Sequence, residues 1–574
     1  MRAAPRWVLP QLADSGAVAA LCEALSLPPH VCRLLCARGH ADADSAKRFL
    51  RPRLDQLHDP LLMRDMDAAV ERLAHAIELG ETIMVHGDYD VDGMASTALL
   101  IRALRGFGAN VVPFIPRRLT DGYDLSAAGV DAAISAGARV LVTADCGTNA
   151  LAPVASLTAA GIDVIVTDHH LPSGLVPDCL AVLNPARDGC GYPDTDLVGA
   201  GVAFKLALAL ARRVGAPEGY VFALLDLVAL ATVADVAPLR GENRVFVRYG
   251  LRLMADSTNA GLQAMVRAAG LEGKPLTAGR VGYILAPRLN AVGRLNHGLL
   301  GVDLLTTTSH SEANRLARDF EALNRERQDL DRATLAHATQ LVEALDLDAT
   351  YGIVLAEEGW HPGVIGIVAS RLVEEFGRPT VLVALEGEQG RGSGRSIPAF
   401  DLHAGLAECA ETLVRFGGHR SAAGITVARS RLAEFSERFN SVARARLSPE
   451  DLVPELRVDL EVSIGDVTTA LESLLRHFEP FGMGNPAPAL LARGVRLAAP
   501  PRALARDGLR LRLAAEGQGE GGRAAPDLEA VGWGIAHRAS ELDVSRPLDV
   551  VFRVERDEWQ GEGRLQARVA DFRV

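Results

Sequence analysis

Apolar residues recur along the chain with two periods, and the places where the period changes divide it into segments. From about 76 to 240, short runs rich in Val and Ile at 82–86, 110–115, 139–143, 163–167 and 180–183 are separated mostly by alanine-rich stretches with helical spacing. Strand and helix alternating in this way predict a parallel sheet with helices on both faces. Residues 1–75 show helical periodicity and no concentrated chemistry. Residues 241–345 read as largely helical and end in a mixed-charge stretch, 309–345, which Ser309 or Ser311 could cap and which suits a solvated spacer helix between domains. Alternation returns over 346–448, with strands at 352–356 and 380–385 around a helix at 364–376. From 449 the character shifts to short alternating strands at 490–497, 509–513, 528–535, 548–554 and 565–574, as in a small oligonucleotide-binding (OB) barrel. The expected fold class is therefore α/β: two α/β domains joined by a long helix, followed by a C-terminal OB-like β-barrel.

Composition narrows the function more than the fold. A chain of 574 residues implies three to five units at ~100–200 residues each. Its formal net charge of −12 is the wrong sign for gripping nucleic acid over the whole surface, so any such binding must be local. A local basic surface is offered early in the barrel by Arg493, Arg496, Arg502, Arg506, Arg510 and Arg512. The seven cysteines are scattered without paired CxxC spacing, which fits a reducing cytoplasm, and Cys32 with Cys36 reads as helix packing. The amino terminus has no apolar core that would make it a secretory signal. The most apolar stretch, 221–239, is interrupted by Asp226 and Asp235, so a buried helix is expected there and no membrane association.

Between the first strand and a helix expected from Met94 lies His86-Gly87-Asp88-Tyr89-Asp90-Val91-Asp92-Gly93. In an extended segment Asp88, Asp90 and Asp92 would face one way, and three such carboxylates repel unless a divalent cation relieves them. An EF-hand loop starting at Asp88 fails, because its twelfth position is Leu99 rather than glutamate. Other strand ends deliver Ala144-Asp145-Cys146-Gly147 and Asp168-His169-His170, and an apolar run ends at Asp235; ligands gather beyond the carboxyl ends of such strands. Mixed aspartate and histidine donors suit Mn²⁺ or Zn²⁺ better than Mg²⁺. Six candidate ligands exceed the needs of one catalytic ion, whereas two ions about 3.5–4 Å apart would clamp an in-line phosphoryl displacement. The glycine-rich runs Arg391-Gly392-Ser393-Gly394-Arg395-Ser396 and Phe416-Gly417-Gly418-His419-Arg420 read as phosphate-holding loops, and 287–295, with Arg288 and Arg294, as an irregular loop. Trp360-His361-Pro362-Gly363 at a helix start could add an anion site. Glu516 to Gly522 reads as a flexible hairpin loop, since its glutamates would repel phosphate.

Together the four acidic motifs and these later runs resemble the DHH phosphoesterases, and in particular their single-strand-specific exonucleases, over residues 50–574. The resemblance implies 5′-to-3′ removal of nucleotides from single-stranded DNA, in recombination and in mismatch or base-excision repair, with two Mn²⁺ ions, Mg²⁺ being the alternative. It places Asp90, Asp92, Asp145, His169 and Asp235 as metal ligands, with Asp145 as the bridge and His86 as a further ligand. Asp88 and His170 would orient water or touch the phosphate, and Arg118, Arg294, Ser393, Arg395 and His419 would hold the DNA backbone or its 5′ phosphate. The implied partners are single-stranded DNA, a single-strand-binding protein and a RecQ-type helicase. A DHH phosphodiesterase acting on short oligonucleotides, a manganese pyrophosphatase and a non-catalytic DNA-binding relative are the alternatives; the barrel and spacer helix speak against the first two, and the complete ligand set against the third. Single-strand selectivity would follow from a hole between the two α/β domains too narrow for duplex. Stacking in such a track is left to only four aromatics, Tyr123, Trp360, Phe400 and Phe481, so phosphate contacts should dominate.

Overall fold

The computed structural model describes residues 4–10, 14–118, 120–122, 124–505, 507–514, 527–557 and 563–574. Tyr123, Arg506 and the Glu516 to Gly522 run lie outside the described residues. The chain forms two compact units, Leu57–Leu452 with Gly482–Gly484, and Ala3–Gln56 with Val453–Phe481 and Asn485–Val574.

In the first unit the strands β1 (Thr82–Gly87), β2 (Asn110–Phe114), β3 (Val140–Ala144), β4 (Asp163–Thr167) and β5 (Ala181–Leu183) form a parallel sheet in the order β2-β1-β3-β4-β5. Their Val, Ile and Leu residues are buried because helices cover both faces: α1 (Val91–Gly106) and α4 (Gly199–Val214) on one, α2 (Ala127–Ser135) and α3 (Leu151–Ala159) on the other. The order reverses direction between β1 and β3, so the loops leaving those two strands diverge and open a crevice.

The helical segment that follows contains α5 (Leu225–Ala234), α6 (Ala286–Leu295) and α7 (His310–Glu343). Residues 287–295, expected as an irregular loop, are helical instead. A π-helical turn, Val281–Leu285, precedes them, and its wider ring accommodates Pro287, which has no N–H to give and whose ring crowds the preceding turn. Ser309 is the cap of α7, its hydroxyl accepting from Glu312 N at 3.4 Å.

A second sheet of the same unit consists of β6 (Ile353–Glu358), β7 (Thr380–Glu386), β8 (Gln389–Arg395), β9 (Arg415–Gly418) and β10 (Ala422–Ala428), in the order β9-β10-β8-β7-β6, with α8 (Ile365–Phe376) and α9 (Leu432–Arg446) packed on it. Both glycine-rich runs expected as loops are largely strand, β8 and β9. On β8 the glycines alternate with Arg391, Ser393 and Arg395, so the strand turns a bare side to Val383, Leu402 and Ile425 and its functional side the other way.

The second unit holds β11 (Leu490–Val495), β12 (Gly508–Leu513), β13 (Leu528–Trp533), β14 (Leu548–Asp557) and β15 (Arg564–Arg573), paired β11-β14-β15-β13-β12. A bridge between Leu497 and Leu513, with Ala498 N donating to Arg512 O at 2.8 Å, returns the last strand to the first and closes the barrel. Arg493 is paired with Glu461 and Asp549, and Arg512 with Asp527, so the basic surface expected here is partly neutralised. Of the N-terminal residues expected as one helical region, those up to Gln56 belong to this unit: Leu21, Cys32, Leu35 and Phe49 share a core with Leu471, Leu475 and Phe478. Among the described residues no single helix is long and apolar enough to cross a membrane.

Candidate active site

The acidic run does not continue β1 as an extended segment. Helix α1 starts at Val91, with Asp90 as its cap, Oδ1 accepting from Gly93 N at 3.0 Å. Asp92 is thereby turned into the first helical turn, where its carboxylate accepts from Ser96 Oγ at 3.1 Å and from the backbone of Gly199 and Ala200 at 2.7 and 2.8 Å. The N-termini of α1 and α4 thus offset part of the cost of burying this carboxyl, whose pKa burial still raises. The approach is close: a Cβ on Gly199 would lie 2.6 Å from Asp145 Cβ.

Asp145 leaves the end of β3 in the left-handed region at φ +66°, its N–H bonded to Thr167 O at 3.0 Å. Such strain in a non-glycine residue persists where the surroundings dictate it. Its buried Oδ1 makes no hydrogen bond and lies 3.1 Å from His169 Nε2. His169 Nε2 is also 3.7 Å from Asp92 Oδ2 and 3.8 Å from Asp235 Oδ2, the residue that closes α5. Three trios therefore have donor atoms within 4.8 Å of one another: Asp88, Asp90 and Asp145; Asp92, His169 and Asp235; and Asp145, His169 and His170. Asp145 belongs to two of them.

Burial, and then the charges of Asp92, Asp90, Asp235 and Asp88, hold the Asp145 carboxyl well above the usual carboxylate range. Burial with Asp92 and Asp90 pushes Asp235 up to about 8, and burial followed by Asp90 raises Asp88. The buried Oδ1 of Asp88 likewise makes no hydrogen bond. Crowded acids with orphaned oxygens and an imidazole among them fit divalent cations with mixed oxygen and nitrogen ligands.

Asp168, which the sequence places in the Asp168-His169-His170 motif without a role of its own, organises the two histidines. Its Oδ1 accepts from His169 N, His170 N and His170 Nδ1 at 2.7, 3.1 and 2.7 Å, and its Oδ2 from Thr148 N at 2.9 Å. Burial opposes its charge, yet the His170 bond and charge bring it down to about 2; burial likewise opposes the charge on His170, which Asp168 raises to about 9. The signal was present, an aspartate directly before two histidines, but only the fold shows its oxygens turned onto their backbone.

His86 is not brought to this cluster. It points with Met84 to the face covered by α2, its ring 5.2 Å from that of Phe114 and Nδ1 3.6 Å from Cys146 Sγ. Burial lowers its pKa to about 4, so the ring is neutral. Asp226 is also elsewhere, bonded to Ser257 Oγ at 2.7 Å.

The expected cations do converge. Arg118 lies 4.9 Å over the Tyr89 ring, Arg294 donates to Gly363 O at 2.7 Å, and Arg395 donates to Ser393 Oγ at 3.0 Å. Burial, then the proximity of Arg118, Arg395 and Arg327, lowers Arg294 to about 10. Guanidiniums that destabilise one another's charge make a place for an anion. Arg327 on α7 escaped the sequence reading because it sits among the alternating charges of a helix; its Nη2 donates to Asn324 Oδ1 at 2.9 Å. His419, from the second sheet, lines a cavity of about 70 Å³ with Asp168, His170 and Leu171.

Comparison with known proteins finds three matching family models: the DHH family N-terminal domain over residues 82–232, the DHHA1 domain over 348–445, and the RecJ OB domain over 458–571. The single-stranded-DNA-specific exonuclease RecJ of Bacillus subtilis is 38% identical over 494 residues, 86% of this chain and 62% of that protein, so the chain spans less than two thirds of its length. That of Salmonella typhimurium is 34% identical over 95% of this chain and 96% of its own. RecJ from Thermus thermophilus in complex with Mn²⁺ superposes with a TM-score of 0.84 at 31% identity, covering 99% of this chain and 79% of that one, and its Mg²⁺ complex with a TM-score of 0.78.

Proposed function

The chain belongs to the RecJ family of single-stranded-DNA-specific exonucleases, and on that premise we propose how its residues divide the work. It is a metal-dependent exonuclease that hydrolyses the phosphodiester bonds of single-stranded DNA, with Mn²⁺ as cofactor and Mg²⁺ as the alternative. The observation that carries this reading is the set of three overlapping trios of carboxylates and imidazoles, joined through Asp145 and His169, beside a group of mutually repelling arginines.

Asp90, Asp92, Asp145, His169 and Asp235 would hold the ions. Two divalent cations there would supply a water acidic enough to attack at neutral pH and would neutralise the phosphate charge. Asp88 orients the attacking water. His170, its Nδ1 engaged by Asp168, carries a proton at neutral pH and so meets a phosphate oxygen as a cation. Arg118, Arg294 and Arg395, with Ser393 and His419, grip the backbone or terminal phosphate and set which bond lies at the ions. His86 takes a structural part, filling the sheet face under α2. Digestion runs 5′ to 3′ in recombination and repair in the cytoplasm, alongside a single-strand-binding protein and a RecQ-type helicase.

A labelled single strand incubated with Mn²⁺ should be shortened from its 5′ end by the native chain and left whole by Asp145→Ala, while a blunt duplex resists both. A single strand bound yet uncut by the native chain would favour the non-catalytic reading instead.

A further inference from the structure

We propose that Tyr283, with Val236 and Met483, forms a stacking platform for a nucleobase of the strand that feeds the metal-ligand cluster. This rests on the nuclease reading above and adds a base-binding subsite to it.

Tyr283 is 88% exposed, unusual for a large aromatic side chain, and stands in the π-helical turn Val281–Leu285. Such turns, with their poorer geometry, recur at functional positions. The turn lies against the end of α5 that bears Asp235: a Cβ on Gly282 would be 3.2 Å from Val233 Cγ1. Helix α5 closes with Ala237 N donating to Thr232 O at 3.2 Å and Val236 N to Val233 O at 3.3 Å, which leaves Val236 at φ +57°. Glycine is the usual residue in that position, and a β-branched side chain is strained there. The valine nonetheless stands 58% exposed, one residue beyond a metal-ligand candidate. Three residues further on, Leu239 N donates to Met483 O at 2.8 Å, and Met483 is 55% exposed.

An aromatic ring, a branched aliphatic group and a thioether are thus presented at three points around the C-terminal end of α5. Every base offers a flat apolar face, so such a surface binds strands without regard to sequence, as an exonuclease requires. The proposed ions and the arginines take the phosphates, so the base is the part of the strand left to land on this apolar surface.

The test uses the full-length chain with Asp145→Ala to keep the strand whole, and an end-labelled oligothymidine carrying one abasic position that is moved along it. Fluorescence anisotropy should show about tenfold weaker binding when the missing base is the one stacked on Tyr283. Adding Tyr283→Ala should weaken binding of the intact strand by a similar factor and abolish that position dependence. Tyr283→Phe should keep both, since the ring and not the hydroxyl is used. Val236→Gly should raise the melting temperature yet weaken binding two- to threefold. An abasic profile that is the same with and without the Tyr283→Ala substitution, or flat in both proteins, overturns the platform. Failure of the nuclease reading looks different: the native chain with Mn²⁺ would leave single strands uncut, whatever the abasic profile.

Discussion

Asp168 belongs to none of the three trios, yet it binds the backbone N–H of both histidines and the ring of His170. Asp168→Asn keeps the shape and removes the charge that holds the His170 proton. Partners of this kind typically matter 10–100-fold in metal affinity or activity, so Mn²⁺ affinity by calorimetry and single-turnover rate should each fall within that range. The pH dependence of metal binding follows from the crowded acids. Asp145 and Asp235 have folded pKa values raised above the unfolded value near ~3.9, so their contribution to stability is present below that value and is lost as pH rises, for Asp235 through about 8. Cations displace those protons, so Mn²⁺ should raise the melting temperature more at pH 8 than at pH 6. Equal increments at the two pH values would contradict this.

Strand β8 shows how an element can carry a motif that its composition disguises. Gly-x-Gly-x alternation looks like a loop, but each glycine lies under a packed side chain, and the residues between them face α8. A Cβ on Gly392 would come within 2.5 Å of Ile425 Cγ1 and 3.1 Å of Val383 Cγ2. Gly392→Val should therefore destabilise the unit by about 1–3 kcal/mol through overpacking, measured by chemical unfolding, even though a flexible loop would tolerate it. The same logic applies to α4, whose first residue must be small for its N-terminus to reach Asp92. Gly199→Ala should reduce both stability and Mn²⁺ affinity, while Gly219→Ala, at an exposed position where a Cβ would meet nothing within 4 Å, should leave metal affinity unchanged.

On the proposed function, a protein of net charge −12 would have to concentrate its attraction for a polyanion in one place; Arg118, Arg294 and Arg395 lie close enough to destabilise one another's charge, whereas Arg493 and Arg512 on the barrel are paired with acids. Binding should then weaken steeply with salt, since each neutralised phosphate contributes about −0.7 to the log–log slope on single strands. Arg294→Ala should weaken binding of every sequence alike and reduce that slope by about 0.7. An unchanged slope would place the phosphate grip elsewhere.

The residues alone determined the α/β alternation, the barrel and the four motifs, because apolar period and strand-end chemistry are local properties and the motifs lie at strand or helix ends. They could not decide which side of β1 each polar residue would occupy, so His86 was grouped with ligands whose company it does not keep. Nor could they place the start of α1, because Asp90 caps a helix only when its first N–H groups are otherwise unpaired. Only tertiary packing resolved these points. It brought the N-terminus of α4 onto Asp92, turned β8 into a strand by pressing side chains against its glycines, and carried Arg327 from an ordinary charged helix to the arginines around Arg294. The reason is physical: such contacts join residues far apart in the chain, and their energies depend on burial and neighbouring charge that no local window contains.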